Sequence, residues 1–437
     1  MRTALVTGRF SAPAAGPAAA ATGIATTASA IRNDVATLLH LFVITQHASA
    51  ATLRVYASEP EAHSGQTYAA LLRIGCDPAV YSYDPSKEEP LNRSFRSIVV
   101  ATLAAGLTVG ATGPANAAPS RPPLIGSVPD ATAGLGLIVE PGEIGAIDSV
   151  LTSAKHSLDM TMYELVDPVA EADLAADAAR GVDVRVVLDR NREQYANTSA
   201  YDYLTAHRVK VHWAPSSYDA THEKAVVVDA GYPGQAALIM TLNLTSRYYT
   251  TTRDFAVADH NPTDVAAIAS VFNADYAGNQ SAPTPAGADL VWSPGSEPAL
   301  LALIGSARHS LEIENEEMAN AQVVSALIAA AKSGVVTHVI MTDDRSYSSN
   351  FSKLEAAGAD VHLYPDTSSA LYIHAKVIVV DAGTASEKAF VGSENFSTAS
   401  MGYNRELGII TNDLAIVNEL GKTLGQDYNG AAPAGRL

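Results

Sequence analysis

A histidine and a lysine two residues apart open two apolar runs in this chain. They are His222 and Lys224 in THEKAVVVD, residues 221–229, and His374 and Lys376 in IHAKVIVVD, residues 373–381. Downstream, MTLN (240–243) and GSEN (392–395) supply a hydroxyl and an amide each, Thr241 with Asn243 and Ser393 with Asn395. TTRDFAV and YNRELGI then add one carboxylate each, Asp254 and Glu406. An imidazole serves as nucleophile or general acid/base near neutral pH. An ammonium beside hydroxyl and amide donors suits a tetrahedral phosphate with charged non-bridging oxygens. A carboxylate accepting from the second ring nitrogen fixes the tautomer and stabilises imidazolium. Two such half-sites facing each other would put two histidines on opposite sides of one phosphorus.

A lone H-x-K is ordinarily a surface histidine beside a solvated lysine, and a lone S-x-N is turn chemistry. The weight comes from recurrence: all five residue types return at one offset while the residues between them vary. Other histidines read as structure. His156 and His309 stand in matching A-[KR]-H-S-L segments ahead of strands, and His212 and His362 look like strand-edge residues. The acidic run Glu312–Glu317 has only DMTMYE as its first-half copy, so a solvated or strand-end cluster is expected rather than a metal site. Glu164 and Glu317 do correspond, which leaves that pair a place in a pocket. Trp213 and Trp292 are too few for a membrane belt. G-x-S-x-G, G-x-x-x-x-G-K-[ST] and H-E-x-x-H patterns are absent from the sequence.

The elements that must position these residues form a tandem repeat. AKHSLDMTMYE (154–164) matches ARHSLEIENEE (307–317) at an offset of 153, and the two H-x-K segments, Asn243 with Asn395, and Asp254 with Glu406 all match at 152. A period this long is a duplicated domain rather than a solenoid unit. In each copy the order is strand, helix, strand, short strand, strand, strand. Ser157–Tyr163 alternates as a strand, Ala170–Arg180 has helical spacing, and Gly181 stops that helix. Gln322–Lys332 and Gly334 repeat the pattern before VVTHVIM. Strands alternating with helices predict an α/β layer structure with both sheet faces covered. Residues two apart on a strand share a face, so each His and Lys should project together. The Pro/Ala/Gly-rich segment 277–288 reads as a linker between residues 118–276 and 289–437. Asn191–Ser199 and Pro365–Ala370 read as loops.

At 437 residues, 47% hydrophobic and 17% charged, the chain has ample material for a core and is not wholly disordered. Its single cysteine, Cys76, excludes an intramolecular disulfide framework and argues against a zinc–thiolate site. Arg93 and Arg96, the apolar run Ile98–Val109 and Ala115-Asn116-Ala117 have the order of an export signal, in a run short for a bilayer span. Residues 91–117 are therefore expected to be a signal peptide, and residues 1–90 an upstream extension absent from the mature protein. From Ala118 onward, 20 Lys+Arg face 39 Asp+Glu, an acidic balance that argues against a polyanionic nucleic-acid partner.

The duplicated H-x-K-x(4)-D with a downstream G-S-x-N resembles the phospholipase D superfamily, over most of residues 135–430. The 32-residue spacing from His to acid in both copies resembles that of secreted bacterial phospholipases D. The resemblance implies two tandem phospholipase D-like α-β-α domains packed as a pseudo-two-fold pair. It implies that His222 attacks phosphorus and that His374 protonates the leaving alcohol and then activates water. Lys224, Lys376, Asn243, Asn395, Ser393 and Thr241 would hold the phosphate; Asp254 would orient His222, and Glu406 would orient His374. Asp229 and Asp381 would be structural. No metal or other cofactor is implied. Met240-Thr241 departs from the Gly-Ser of the pattern, and Met240 either crowds the phosphate or packs into the core.

These readings predict a secreted, monomeric phosphodiesterase acting on glycerophospholipids at a membrane or micelle surface, by hydrolysis and by transfer to alcohols. A secreted nuclease or general phosphodiesterase is the alternative, and a phosphate-binding protein without turnover is a third. Two complete residue sets oppose the third. A transferase of the cardiolipin-synthase type fits less well, because no apolar run is long enough for an N-terminal anchor.

Overall fold

The structure is a computed structural model that describes residues 54–56, 73–75, 134–279 and 287–436. The export segment, Cys76 and most of the inter-repeat linker lie outside the described residues. The chain divides into two units, Met1–Gly110 and Ala111–Leu437. Of the first, an antiparallel pair, Arg54–Tyr56 with Arg73–Gly75, is described. The second unit holds both repeats.

The first repeat runs β1 (Leu135–Glu140), α1 (Ile144–Leu151), β2 (Ser157–Met162), α2 (Pro168–Arg180), β3 (Asp183–Leu188), α3 (Gln194–Ala206), β4 (Lys210–Trp213), β5 (Ala225–Val228), β6 (Ala236–Met240), β7 (Thr252–Asp259) and α4 (Pro262–Tyr276). The second runs β8 (Leu290–Ser293), α5 (Glu297–Ser306), β9 (Ser310–Glu314), α6 (Ala321–Lys332), β10 (Val336–Thr342), α7 (Ser348–Ala356), β11 (Asp360–Tyr364), β12 (Val377–Val380), β13 (Lys388–Gly392), β14 (Glu406–Thr411) and α8 (Leu414–Gly430). Each repeat builds a mixed sheet with the same order, β1-β7-β6-β5-β2-β3-β4 and β8-β14-β13-β12-β9-β10-β11. The three strands at one end of each are parallel and the rest antiparallel. The expected α/β class and the paired domains are what the chain forms.

Local chemistry explains the helix limits. Asp167 caps α2 by accepting from Val169 N, Pro168 sits where no N–H is needed, and Gly181 ends the helix at φ 94. Asn320 caps α6 by accepting from Gln322 N and Val323 N. The loop expected over Asn191–Ser199 is a turn that runs into α3 at Gln194. Its polar composition hid the helix, since only Asn197, Ala200 and Leu204 are buried. Strands β1 and β8 and helices α1, α3, α5 and α7 extend the element order read from the sequence.

The apolar runs after the H-x-K segments are buried along their whole length because they lie between two cores. Val226 and Val228 face the first repeat's own core, while Ala225 and Val227 face a shared one. In β12, Ile378 and Val380 face the second repeat's core and Val377 and Val379 the shared one. The shared core also takes Val265, Ile268 and Val271 from α4 and Ile416, Val417 and Leu420 from α8. Each such side chain stabilises by about 1.5–3 kcal/mol on burial, so separating the repeats would expose a large apolar face.

The other duplicated residues have structural work. Asp229 and Asp381 both sit at φ 52, and their carboxylates accept from three consecutive backbone N–H groups: Lys155, His156 and Ser157 in one copy, Arg308, His309 and Ser310 in the other. His212 and His362 stack on Tyr276 and Tyr428 at 3.8 and 3.9 Å. Each ring Nδ1 lies 2.7 Å from the same tyrosine's carbonyl oxygen, fastening the last helix of its repeat to the sheet. Trp292 is buried in the shared core and Trp213 stacks on Tyr201.

Candidate active site

His222 and Lys224 stand just before β5, on a lead-in whose place is set by the other repeat. The N–H groups of His222 and Glu223 donate to Arg405 O, each at 2.9 Å. His374 N donates to Arg253 O at 3.2 Å in the reciprocal arrangement. The strands begin at Ala225 and Val377, so the H-x-K residues stand at their mouths, as their place ahead of the apolar runs indicates, and the pairing of residues two apart on a ladder does not apply to them. Each lysine folds back onto the carbonyl of its own histidine, Lys224 Nζ at 2.6 Å from His222 O and Lys376 likewise on His374 O.

The acids pair across the repeats. His222 Nδ1 lies 2.8 Å from Glu406 Oε2, and His374 Nδ1 lies 2.8 Å from Asp254 Oδ1. The expected assignment, Asp254 with His222 and Glu406 with His374, is reversed. The reason is the backbone crossing just described, which brings Arg405–Glu406 alongside His222 and Arg253–Asp254 alongside His374. The two arginines brace the same crossing. Arg253 reaches Asp427 at 2.6 Å and Arg405 reaches Asp275 at 3.0 Å, both between repeats.

Thr241 and Ser393 do not reach the cavity. Thr241 Oγ1 donates to Asp254 Oδ1 at 2.6 Å and accepts from Phe255 N at 2.9 Å. Ser393 Oγ accepts from Leu407 N at 3.1 Å, and both side chains are fully buried. Their expected contact with phosphate is therefore corrected: Thr241 holds the carboxylate behind His374, and Ser393 ties its loop to β14. Glu406 is held by Ser400 Oγ at 2.5 Å and Asn404 Nδ2 at 3.0 Å, both donating to Oε1. Met240 packs into the first core and leaves the site clear.

His222, His374, Asn243, Asn395 and Asp254 line one cavity of about 680 Å³. With both Nδ1 atoms engaged, each imidazole has its Nε2 left for chemistry. Tyr163 packs edge-on against His222 with ring centroids 4.5 Å apart, and Lys224 Nζ lies 5.0 Å from the same ring. Glu164, Glu316, Glu317, Asp366 and Tyr372 complete much of the wall. Glu316 went unassigned in the sequence because its counterpart, Tyr163, has different chemistry. The acidic run it belongs to lies at the end of β9, as the strand-end reading expects, but it is not solvated: Glu314 is wholly buried, its carboxyl pushed well above the usual range by burial. Among the described residues no group of His, Cys, Asp and Glu is arranged to hold a metal ion.

Electrostatics divide the roles. Burial and then Lys224 hold the His222 imidazole below its usual value, against the pull of Glu406. Burial followed by Lys376 brings the Lys224 ammonium down to about 7. Burial alone would raise Glu406 and Asp254, yet His222 with Lys224 keeps the first below the usual carboxylate range and His374 with Lys376 the second. Two imidazoles on ionised carboxylates, with the Asn243 and Asn395 amides on the same cavity wall and the buried Lys224 and Lys376 two residues from each ring, form a site that can accept a phosphodiester, take its phosphoryl group on one ring and protonate its leaving group from the other.

That arrangement, in two fused copies of one mixed-sheet domain, is of the phosphodiesterase type. The chain belongs to the phospholipase D superfamily: residues 147–276 and 300–428 each match the family described as "Cardiolipin synthase, PLD-like domain". Phosphatidylserine synthase of Haemophilus influenzae Rd KW20 is similar in fold, with a TM-score of 0.55 at 13% identity over 69% of this chain and 87% of that one. Polyphosphate kinase of Porphyromonas gingivalis aligns with a TM-score of 0.51 at 15% identity over 68% of this chain and 51% of its own, so the chain spans about half the length of that enzyme. The phospholipase D family member Nuc of Salmonella typhimurium aligns over 33% of this chain and 95% of its own, at 21% identity and a TM-score of 0.30. No curated protein matches the chain.

Proposed function

We propose that this chain is an exported phospholipase D that cleaves the head-group phosphodiester of glycerophospholipids at a membrane or micelle surface, and also transfers the phosphatidyl group to alcohols. The observation that carries the reading is the pair of crossed imidazole–carboxylate contacts, both 2.8 Å, on two histidines that line one cavity. In the first step His222 Nε2 attacks phosphorus. The P–O bond to the head group breaks as imidazolium His374 gives its Nε2 proton to the departing oxygen. In the second step neutral His374 takes a proton from water, whose oxygen attacks phosphorus and breaks the P–N bond; an alcohol in place of water gives transfer. The lowered affinity of His222 for protons suits the nucleophile, which must be neutral. Lys224, Lys376, Asn243 and Asn395 hold the non-bridging oxygens. No residue of the reaction is left to a second chain, which supports a monomer.

Lipid rather than nucleic acid is supported by the acidic balance of the repeats and by a wall rich in carboxylates and tyrosines. The family description names cardiolipin synthase, and cardiolipin is a lipid. Among the described residues no helix is long and apolar enough to cross a membrane. The test is head-group release from phosphatidylcholine and phosphatidylethanolamine vesicles in excess chelator, beside His222→Ala, His374→Ala and a parallel incubation with DNA. Lipid turnover lost in both variants is expected. DNA cleavage without lipid turnover would move the enzyme to nucleic-acid diesters.

A further inference from the structure

The cavity already contains an anion of its own, the side chain of Glu316. Its Oε2 lies 3.1 Å from Lys376 Nζ, 3.2 Å from Asn395 Nδ2 and 3.6 Å from His374 Nε2. Its Oε1 accepts from Tyr372 Oη at 3.1 Å. Lys376 and Asn395 are the groups assigned to the phosphate in the second half-site, and His374 Nε2 is the atom that faces the leaving group. One carboxylate oxygen therefore stands where a non-bridging phosphate oxygen would be held. The first half-site has no such carboxylate, because the matching residue, Tyr163, lays its ring against His222 instead. Glu316 keeps 24% of its side chain exposed, so it has room to withdraw into the cavity.

We propose that Glu316 is a resident stand-in for phosphate, a carboxylate that occupies the second half-site of the free enzyme and must be displaced before a phosphodiester can bind. This rests on the phosphodiesterase reading of the site and adds a determinant of what that site accepts. A carboxylate and a phosphate cannot both keep Lys376, so each incoming anion exchanges one charged contact for another rather than gaining one. Lys376 and the two histidines hold Glu316 well below the usual carboxylate range, so it competes as an anion throughout the working pH range. The displaced carboxylate stays beside Glu317 and Glu164 in the same cavity. Dianions suffer most from that company, so free phosphate and monoesters are disfavoured against monoanionic diesters.

The probe is inorganic phosphate, read in two ways on the full chain. One is competition against turnover of bis(p-nitrophenyl) phosphate; the other is the rise in melting temperature with phosphate concentration, which needs no turnover. Glu316→Gln removes the charge and keeps the shape, and Glu316→Ala removes both. Phosphate is expected to bind both variants about tenfold or more tightly than the parent, the equivalent of one lost charged competitor, with a lower KM for the diester. Structural damage weakens binding, and simple relief of charge repulsion is screened by salt, so tighter binding that persists in high salt reports the vacated position. Phosphate affinity that stays the same or falls in both variants would overturn the proposal, and Glu316 would then be a support for Lys376. A parent chain that binds phosphate yet cleaves no diester would instead count against the phosphodiesterase reading, leaving the melting-temperature comparison to judge Glu316 alone.

Discussion

Replacing the two orienting acids by their amides should have very unequal effects, because the amide has its direction chosen for it at each position. In Glu406, Oε1 accepts from Ser400 Oγ at 2.5 Å and Asn404 Nδ2 at 3.0 Å, while Oε2 faces His222 Nδ1 at 2.8 Å. In Glu406→Gln the two donors keep the amide oxygen, so the NH2 group is turned to His222. Nδ1 must then accept, and the ring proton moves to Nε2, the atom that has to attack phosphorus. In Asp254 one oxygen does both jobs: Oδ1 accepts from Thr241 at 2.6 Å and from His374 Nδ1 at 2.8 Å. Thr241 has Phe255 N at 2.9 Å on its lone pair, so its own proton must go to Asp254. In Asp254→Asn the oxygen stays at Oδ1 and His374 keeps its tautomer.

The magnitudes follow. A wrong tautomer costs about 10⁴-fold in a Ser-His-Asp triad, and Glu406→Gln should lose about 10³- to 10⁴-fold in kcat. Asp254→Asn exchanges a charge-assisted hydrogen bond for a neutral one, a loss of about 1–1.5 kcal/mol, or about tenfold. The assay is kcat on bis(p-nitrophenyl) phosphate, with imidazole ¹⁵N shifts to identify the protonated nitrogen of each ring. Equal losses in the two variants, or His222 still protonated on Nδ1 in Glu406→Gln, would refute the reasoning.

The pH profile of kcat/KM should be narrow. His222 must be neutral, and it gains a proton only below the 6.5 of an ordinary imidazole, so that limb lies on the acid side. Lys224 must be charged to hold phosphate, and it loses its proton as pH rises through about 7, which sets an alkaline limb; Lys224→Arg should move that limb upward. Because the folded state holds this lysine's proton less tightly than the unfolded chain, stability rises with pH between about 7 and the ordinary 10.5, and Lys224→Met should raise the melting temperature at pH 7 while abolishing turnover. Asp381→Ala strips the acceptor from Arg308, His309 and Ser310 N–H, and a loss of about 2–4 kcal/mol in chemical denaturation is expected; a change within 0.5 kcal/mol would contradict the capping role. Arg405→Ala leaves Asp275 buried without its guanidinium, which should cost about 3–5 kcal/mol, measured the same way.

How much of this was legible in the sequence depends on what repeats. A duplication shows itself as an offset, and an offset identifies equivalent residues: His222 with His374, Asp229 with Asp381, Glu164 with Glu317. It says nothing of which copy's acid meets which copy's histidine, because His222–Glu406 and Asp254–His374 satisfy the same offset as the uncrossed pairs. The crossing is decided by backbone contacts such as His222 N on Arg405 O, which no side-chain pattern reports. Hydroxyls were misplaced for a related reason. Thr241 looked like a phosphate donor by its place two residues before Asn243, but the strand ends at Met240, so the shared face of residues two apart does not carry over to this pair, and its partner Asp254 lies on the neighbouring strand. Glu316 was hidden by the opposite failing, since comparison of the copies rewards sameness and its counterpart is Tyr163. The crossing carries a physical consequence that the repeat pattern alone lacks. Each repeat holds one imidazole of the site and the carboxylate that meets the other, and each supplies the arginine whose aspartate lies in its partner. A single repeat would therefore keep its own core, bare its share of the common one and have neither histidine oriented, so the proposed two-step transfer is tied to the closed pair.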